Sequence, residues 1–119
     1  MGSRILVVED EKIIQLDLQY QLEQLGYVVA GVASTGEEAV EKAAQLEPDL
    51  VLMDVRLKGA MDGIEAARRI QAAREVPVIY LTAQDQGHPP EQPDGDLRPS
   101  LHKPFRTGDL QRAVAMALK

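Results

Sequence analysis

The sequence has no cysteine and few aromatic residues, and both absences limit the classes of protein to which it can belong. Without Cys in 119 residues, a disulfide framework or a thiolate metal site is excluded, and a cytoplasmic location is favoured. Because aromatic residues make up only 3%, the core must consist mainly of Val, Ile, Leu and Ala. Such a core suits a parallel sheet that is buried between helices.

Clustered positive charge and long apolar runs are also lacking. The formal net charge is −6, which speaks against direct nucleic-acid binding because phosphate contacts need clustered Lys and Arg. A cation or a basic protein surface is a better match as a partner. No apolar run reaches membrane-spanning length, and no signal peptide precedes Arg4. We interpret residues 1–119 as a single domain, with residues 1–3 as an expression remnant.

Short apolar runs alternate with longer amphipathic segments, a pattern that predicts parallel βαβ units. We expect strands near 4–8, 27–33, 49–53, 76–81 and 100–102. Helices are expected near 11–25 and 35–46, followed by a third that ends before Glu75 and a last one that carries Leu110 and Leu118. The run Ser34-Thr35-Gly36-Glu37 has the form of a capping box before the second helix. Asp62 and Thr107 are expected to cap the third and the last helix.

The interval 84–99 breaks this alternation at a place where a helix is expected. It contains Pro89, Pro90, Pro93 and Pro99, together with two glycines. Proline lacks an amide donor and clashes with the preceding turn of a helix, so at most one helical turn is predicted. We therefore expect an irregular proline-rich loop in place of a regular helix.

Polar residues stand at the downstream ends of four predicted strands. They are Glu9, Asp10, Asp54, Thr82 and Lys103. In an open parallel sheet the carboxyl ends of the strands share one edge, where ligands bind, so these groups are expected to converge. Two carboxylates about 4 Å apart repel by roughly 4 kcal/mol at an effective dielectric of 20. The cluster therefore needs a proton or a cation, and Mg²⁺ fits an acidic site that is open to water and phosphate.

Taken together, these side chains point to chemistry at phosphorus. Asp54, flanked by a divalent cation, the Lys103 ammonium and the Thr82 hydroxyl, is equipped to attack phosphorus and to hold the resulting acyl phosphate. Each residue alone has a plainer explanation, such as a helix-start acidic pair for Glu9 and Asp10. Asp54 is the hardest to explain structurally, because a carboxylate at the end of a buried strand needs a compensating partner.

Five motifs, in order, resemble the receiver domain of two-component response regulators. They are LVVEDE at 6–11, PDLVLMD at 48–54, Asp62-Gly63, PVIYLTA at 77–83 and KPF at 103–105. The resemblance runs from about residue 4 to residue 118. It implies an α/β fold with a flavodoxin-like, doubly wound, five-stranded parallel sheet in the order 2-1-3-4-5, as well as a role in phosphorelay signalling.

The resemblance also implies a ligand set. Asp54 would be the phosphoacceptor, and Asp10 and Asp54 would bind Mg²⁺ directly. Glu9 would bind the ion through water, and the backbone carbonyl of Arg56 would complete the protein ligands.

Further roles follow from the same resemblance. Thr82 would be the switch hydroxyl, and Lys103 would pair with the phosphate after a cis Lys103–Pro104 peptide. The phosphoryl donor would be a phosphohistidine on a sensor histidine kinase or a histidine phosphotransfer protein. The domain would catalyse only its own phosphorylation and dephosphorylation, and would have no other enzymatic activity.

Three other functions are alternatives to this interpretation. A flavin mononucleotide site needs a Ser/Thr/Gly-rich phosphate loop, whereas the acidic run 9–11 would repel the phosphate. A Mg²⁺-dependent phosphatase would carry a second acid two residues after Asp54, where Arg56 stands. A receiver-like interaction module with an impaired switch stays open, because Ser100 occupies a position where the family commonly has Tyr or Phe. The output partner, a homodimer and the excision of the chain from a larger protein are also left open.

Overall fold

The computed structural model describes residues 2–83, 100–103 and 105–119, which form a five-stranded parallel sheet with helices on both faces. The strands are β1 (Arg4–Val8), β2 (Val28–Ala33), β3 (Leu50–Asp54), β4 (Val78–Ala83) and β5 (Ser100–Lys103). The helices are α1 (Lys12–Gln24), α2 (Gly36–Leu46), α3 (Gly63–Ala73) and α4 (Thr107–Ala117). The strand order is β2-β1-β3-β4-β5. The predicted α/β fold and strand order are therefore confirmed.

The strands lie close to where the apolar runs placed them, with one shift that concerns the site. β4 begins at Val78 and continues to Ala83, two residues later at each end than predicted, so Thr82 lies within the strand. The irregular loop expected at 84–99 lies outside the described residues. Within the described residues, no helix is long and apolar enough to cross a membrane.

Alternation of side chains along the strands builds a separate core on each face of the sheet. On one face, α2 and α3 cover Leu6, Val8, Val51, Met53, Val78 and Tyr80. On the other face, α1 and α4 cover Ile5, Val7, Leu50, Leu52, Ile79 and Leu81. Because alternate residues share a face, Asp54 falls on the α1 and α4 side with Leu52. Lys103 falls on the same side with Leu101, which packs in that core.

Side chains cap α2 and α3 much as the sequence indicates. The Thr35 hydroxyl accepts a 3.1 Å hydrogen bond from the Glu38 amide, and the Glu38 carboxylate accepts one from the Ser34 amide at 2.8 Å. The N-cap is thus one residue later than predicted, and the predicted capping box is not formed, because the Glu38 carboxylate accepts from Ser34 and not from the N-cap Thr35. At α3 the prediction is confirmed, since Asp62 accepts a 2.9 Å hydrogen bond from the Glu65 amide.

The predicted cap of the last helix is wrong. Thr107 is the first residue of α4, and Arg106 occupies the N-cap position. The Asp109 carboxylate accepts a 3.2 Å hydrogen bond from the Arg106 amide. The Thr107 hydroxyl instead donates to the Gln21 side-chain oxygen at 3.1 Å. The Thr107 hydroxyl therefore makes a tertiary contact with α1 and does not cap α4.

Candidate functional site

Asp54 ends β3 at the carboxyl edge of the sheet and is only 5% exposed. A carboxylate buried to this degree needs donors. Its Oδ1 accepts a 3.1 Å hydrogen bond from the Arg56 amide, and its Oδ2 lies 3.4 Å from the Lys103 ammonium. One oxygen is thus held by the backbone of its own loop and the other by a side chain from β5.

Glu9 lies directly after β1 and has no exposed surface. Its backbone amide donates to the Ala33 carbonyl at 3.0 Å, which continues the pairing of β1 with β2. Its carboxylate accepts a 3.1 Å hydrogen bond from the Glu11 amide and a 2.8 Å hydrogen bond from the Lys103 ammonium. Both carboxylate oxygens of Glu9 therefore already have donors within the protein.

Lys103 links the two buried acids. Its side chain is 20% exposed and contacts Glu9 and Asp54 together. Burial by itself would lower the pKa of Lys103, but the hydrogen bond to Glu9 and the charges of Asp54 and Glu9 raise it. The side chain is therefore a fixed positive charge beside both carboxylates.

Three carboxylates still outnumber this single ammonium. Glu9, Asp10 and Asp54 each offer an oxygen atom, and these atoms lie within 4.8 Å of one another. Burial, followed by the charge of Glu9, raises the pKa of Asp54 to about 7, although Lys103 acts in the opposite direction. Mg²⁺ takes oxygen ligands, usually one or two carboxylates together with water, and this cluster offers them close together. The residues present fit a divalent cation.

Thr82 lies on a strand that neighbours β3, and its hydroxyl bonds to another strand. It is half-buried on β4, the strand next to β3. Its hydroxyl donates to the Leu101 carbonyl on β5 at 3.4 Å. The described contacts thus bring together the three acids and Lys103, while the switch role of Thr82 stays a prediction. The cis peptide expected before Pro104 lies outside the described residues.

Gly63 contacts the end of β3 more closely than any other residue type could. A Cβ atom at this position would lie 1.9 Å from the Asp54 carbonyl oxygen, and the Gly63 amide donates to the Val55 carbonyl at 2.9 Å. The first turn of α3 therefore packs directly against the backbone of Asp54 and Val55. The sequence contained Asp62-Gly63 as a motif, but the spacing of residues did not reveal this contact.

Gln15 is a site-adjacent residue that the sequence interpretation missed. It is 5% exposed, and its Nε2 donates to the Glu9 carbonyl at 2.7 Å and to the Ser34 hydroxyl at 3.2 Å. One signal could have found it. Gln15 lies three and seven residues before Leu18 and Leu22, on the buried face of α1, where an apolar residue would be expected.

Comparisons with known proteins find relatives over nearly the whole chain. A family model described as the response regulator receiver domain matches residues 5–115. The transcriptional regulatory protein PdtaR of Mycobacterium tuberculosis is 41% identical over 116 residues, which cover 97% of this chain and 56% of that protein. The chain spans about half the length of the curated relatives it matches. The resemblance to receiver domains drawn from the sequence is confirmed.

Two solved structures show the same fold over nearly the whole chain. The receiver domain of a modulated diguanylate cyclase from Desulfovibrio desulfuricans is 36% identical, with a TM-score of 0.84 and coverage of 99% of this chain and 94% of that chain. The receiver domain of sensor histidine kinase PA1611 from Pseudomonas aeruginosa is 34% identical, with a TM-score of 0.81 and coverage of 99% and 98%. That receiver domain was solved with a magnesium ion coordinated in its active-site cleft.

Proposed function

Because the chain belongs to the response regulator receiver domains, we propose that Asp54 is its phosphoacceptor and that phosphorylation of Asp54 depends on Mg²⁺. The observation that carries this proposal is the position of the Asp54 carboxylate. It is buried at the carboxyl edge of the sheet, among two further acids and the Lys103 ammonium. A cytoplasmic location fits this role and the cysteine-free composition.

In the proposed reaction, a carboxylate oxygen of Asp54 attacks the phosphorus of a phosphohistidine. The new O–P bond forms as the P–N bond breaks, and the donor histidine leaves and takes up a proton. The Arg56 amide and the Lys103 ammonium, on opposite oxygens of Asp54, fix the plane of the attacking carboxylate. Hydrolysis of the acyl phosphate returns Asp54 and inorganic phosphate. The domain then catalyses only its own phosphorylation and dephosphorylation.

The metal ligands are proposed residue by residue. Asp10 and Asp54 would bind the ion directly, together with the backbone carbonyl of Arg56. Glu9 would act through water, since both its oxygens already accept hydrogen bonds from Glu11 and Lys103. When bound, Mg²⁺ supplies positive charge that offsets the charge on the phosphoryl oxygens.

Two side chains are proposed to hold the phosphoryl group. Lys103 is already 3.4 Å from Asp54 Oδ2, so a phosphoryl group on Asp54 would come within reach of its ammonium. Thr82 would exchange its hydrogen bond with the Leu101 carbonyl for one with a phosphoryl oxygen. The weak 3.4 Å geometry of the present bond supports such an exchange.

The partner would be a sensor histidine kinase or a histidine phosphotransfer protein, and α1 offers it a surface. Ile13, Leu16 and Tyr20 are 82%, 56% and 62% exposed. Their spacing of three and four residues places them along one side of the helix. We name this surface the α1 stripe. It starts three residues after Asp10, so a partner that covers it would also reach the acidic site, and we propose it as the docking surface of the phosphoryl donor.

A second candidate function has one observation in its favour. In the register of β4 and β5, Ser100 lies opposite Tyr80. Ser100 stands at the position where receiver domains commonly have Tyr or Phe. A receiver-like interaction module with an impaired switch would fit this arrangement. Such a module would bind its partner equally well whether or not Asp54 carries a phosphoryl group.

The phosphoacceptor proposal is tested by treating the protein with acetyl phosphate, with and without Mg²⁺, and measuring its intact mass. We expect one phosphoryl adduct that requires Mg²⁺ and that is absent in Asp54→Asn. If wild-type protein acquires no adduct in the presence of Mg²⁺, the phosphoacceptor proposal fails and the interaction module is favoured.

A further inference from the structure

Gln15 is a buried polar residue that the proposed reaction does not use. It points inward near the start of α1, on the same face as Leu18 and Leu22, which are fully buried. Burying an amide costs free energy unless its polar atoms are paired. The hydrogen-bond partners of Gln15 therefore indicate the role of its side chain. Both partners lie in loops at the carboxyl edge of the sheet.

The first partner is the Glu9 carbonyl, which accepts a 2.7 Å hydrogen bond from Gln15 Nε2. That carbonyl belongs to the peptide group that joins Glu9 to Asp10. Its orientation sets the directions in which the two acidic side chains leave the backbone, because a peptide group is planar. Gln15 thus holds the peptide on which the relative placement of the two carboxylates depends.

The second partner is Ser34, in the connection between β2 and α2, whose hydroxyl accepts from Gln15 at 3.2 Å. The Ser34 amide in turn donates to the Glu38 carboxylate at the start of α2. One side chain therefore ties α1 to the loop after β1 and to the loop after β2. These loops follow neighbouring strands of the sheet.

The amide is chemically suited to this position. Lys or Arg would also donate to the Glu9 carbonyl, but would place a positive charge beside carboxylates that are proposed to bind a cation. Met would fill a similar volume and donate no hydrogen bond. Gln supplies two N–H donors on one nitrogen and leaves the charge of the acidic cluster unchanged.

We propose that Gln15 is a positioning residue for the metal site, which orients the Glu9–Asp10 peptide and couples it to the β2–α2 connection. This inference rests on the proposed binding of Mg²⁺ by the acidic cluster. Loss of an outer partner of metal-binding groups typically weakens metal affinity by about 10-fold or more. We expect a loss of that order for Gln15→Met.

The test is a calorimetric titration of the wild-type protein, Gln15→Met and Gln21→Met with Mg²⁺. Gln21 is the matched control, because it lies on the same helix and its side chain contacts Asp17 and Thr107. We expect the dissociation constant to rise by about 10-fold in Gln15→Met and to keep its wild-type value in Gln21→Met. A wild-type constant in folded Gln15→Met overturns the inference. Absence of Mg²⁺ binding by the wild-type protein overturns the metal site itself, and the inference with it.

Phosphorylation by acetyl phosphate distinguishes a positioning role of Gln15 from a loss of folded protein in the variant. In Gln15→Met, the Mg²⁺ concentration for half-maximal rate should rise by the same factor, and the rate at saturating Mg²⁺ should stay at the wild-type level. A lower maximal rate with an unchanged half-saturation would indicate a structural role and overturn the inference.

Ser34→Ala provides the second variant if Gln15→Met does not fold. Ser34 is exposed, and the substitution removes one of the two groups that orient the Gln15 amide. We expect a rise in the Mg²⁺ dissociation constant that is smaller than in Gln15→Met. An unchanged constant in Ser34→Ala would overturn the coupling to the β2–α2 connection.

Discussion

The Lys103 ammonium donates a 2.8 Å hydrogen bond to Oε1 of Glu9, a carboxylate with no exposed surface. Its distance to Oδ2 of Asp54 is longer, at 3.4 Å. The Lys103 ammonium therefore lies closer to the Glu9 carboxylate than to that of Asp54, the proposed phosphoacceptor. Burial and the charge of Glu9 raise the pKa of Asp54 to about 7, although Lys103 lowers it.

The first prediction concerns the pH dependence of stability in Mg²⁺-free protein. The pKa of Asp54 is raised from its usual 3.8 to about 7 in the folded state. Between these values the folded state binds more protons than the unfolded state, so the free energy of unfolding should fall as the pH rises. Asp54→Asn removes this titration and should be more stable than the wild-type protein above pH of about 7, with the difference shrinking toward about pH 4.

Urea unfolding followed by circular dichroism, at several pH values across this window, measures the difference. Asp17→Asn, which alters an exposed carboxylate on α1, is the control and should show no such trend. A stability difference between Asp54→Asn and the wild-type protein that does not change with pH would contradict the prediction.

The second prediction concerns metal and Asp10. Mg²⁺ that binds only the folded site raises the free energy of unfolding, by about 2.7 kcal/mol at 100 times the dissociation constant. Asp10→Ala removes a proposed direct ligand and should lose most of this gain, measured as the melting temperature over a Mg²⁺ series. Glu37→Ala, an exposed acid on α2, should keep it. Equal gains in the two variants would exclude Asp10 as a ligand.

The third prediction concerns the contact between α3 and β3. In Gly63→Ala the new Cβ would lie 1.9 Å from the Asp54 carbonyl oxygen, so the helix must move away. We expect a loss of about 1–3 kcal/mol in the free energy of unfolding and slower phosphorylation of the displaced Asp54. Gly108→Ala on α4 is the control, because a Cβ there has no neighbour within 4 Å among the described residues. Wild-type stability of Gly63→Ala would contradict the described approach.

The strands and the meeting of the acids could be predicted because they follow from local patterns. Buried apolar runs identify β1 and β3, and the rule that parallel strands end at one edge brings Glu9, Asp10 and Asp54 together. The sequence could not reveal which carboxylate lies closest to the Lys103 ammonium. That distance depends on how far the Lys103 side chain extends across β4 in the folded sheet. The bond of Thr107 to Gln21 was missed for a similar reason, since a tertiary partner competed with a local cap.

Gln15 and Gly63 show a second kind of limit. The sequence marks Gln15 only as a polar residue on the apolar face of a helix, and Gly63 only as a glycine after an N-cap. Their importance arises from backbone groups that only the tertiary structure brings near them, namely the carbonyls of Glu9 and Asp54. Patterns of side-chain type carry little information about contacts to backbone atoms far along the chain.

The fourth prediction concerns the α1 stripe. Tyr20→Ala and Ile13→Asp should slow phosphoryl transfer from a purified sensor kinase, chosen as the one that phosphorylates the wild-type chain fastest. Both variants should react with acetyl phosphate at the wild-type rate, because the acidic site is unchanged. Met116→Asp, at an exposed apolar position in the last turn of α4, is the control for a general loss of apolar surface. Slowing by Met116→Asp equal to that by the stripe variants would contradict a specific docking surface.

The most direct test of the central claim is to locate the acyl phosphate itself. Borohydride reduces an aspartyl phosphate to homoserine, which peptide mass mapping identifies at a single position of the chain. After treatment with acetyl phosphate and Mg²⁺, we predict homoserine at position 54 and none in protein treated without Mg²⁺. Homoserine at position 10 instead, or at no position in the wild-type protein, would contradict the assignment of Asp54 as the phosphoacceptor.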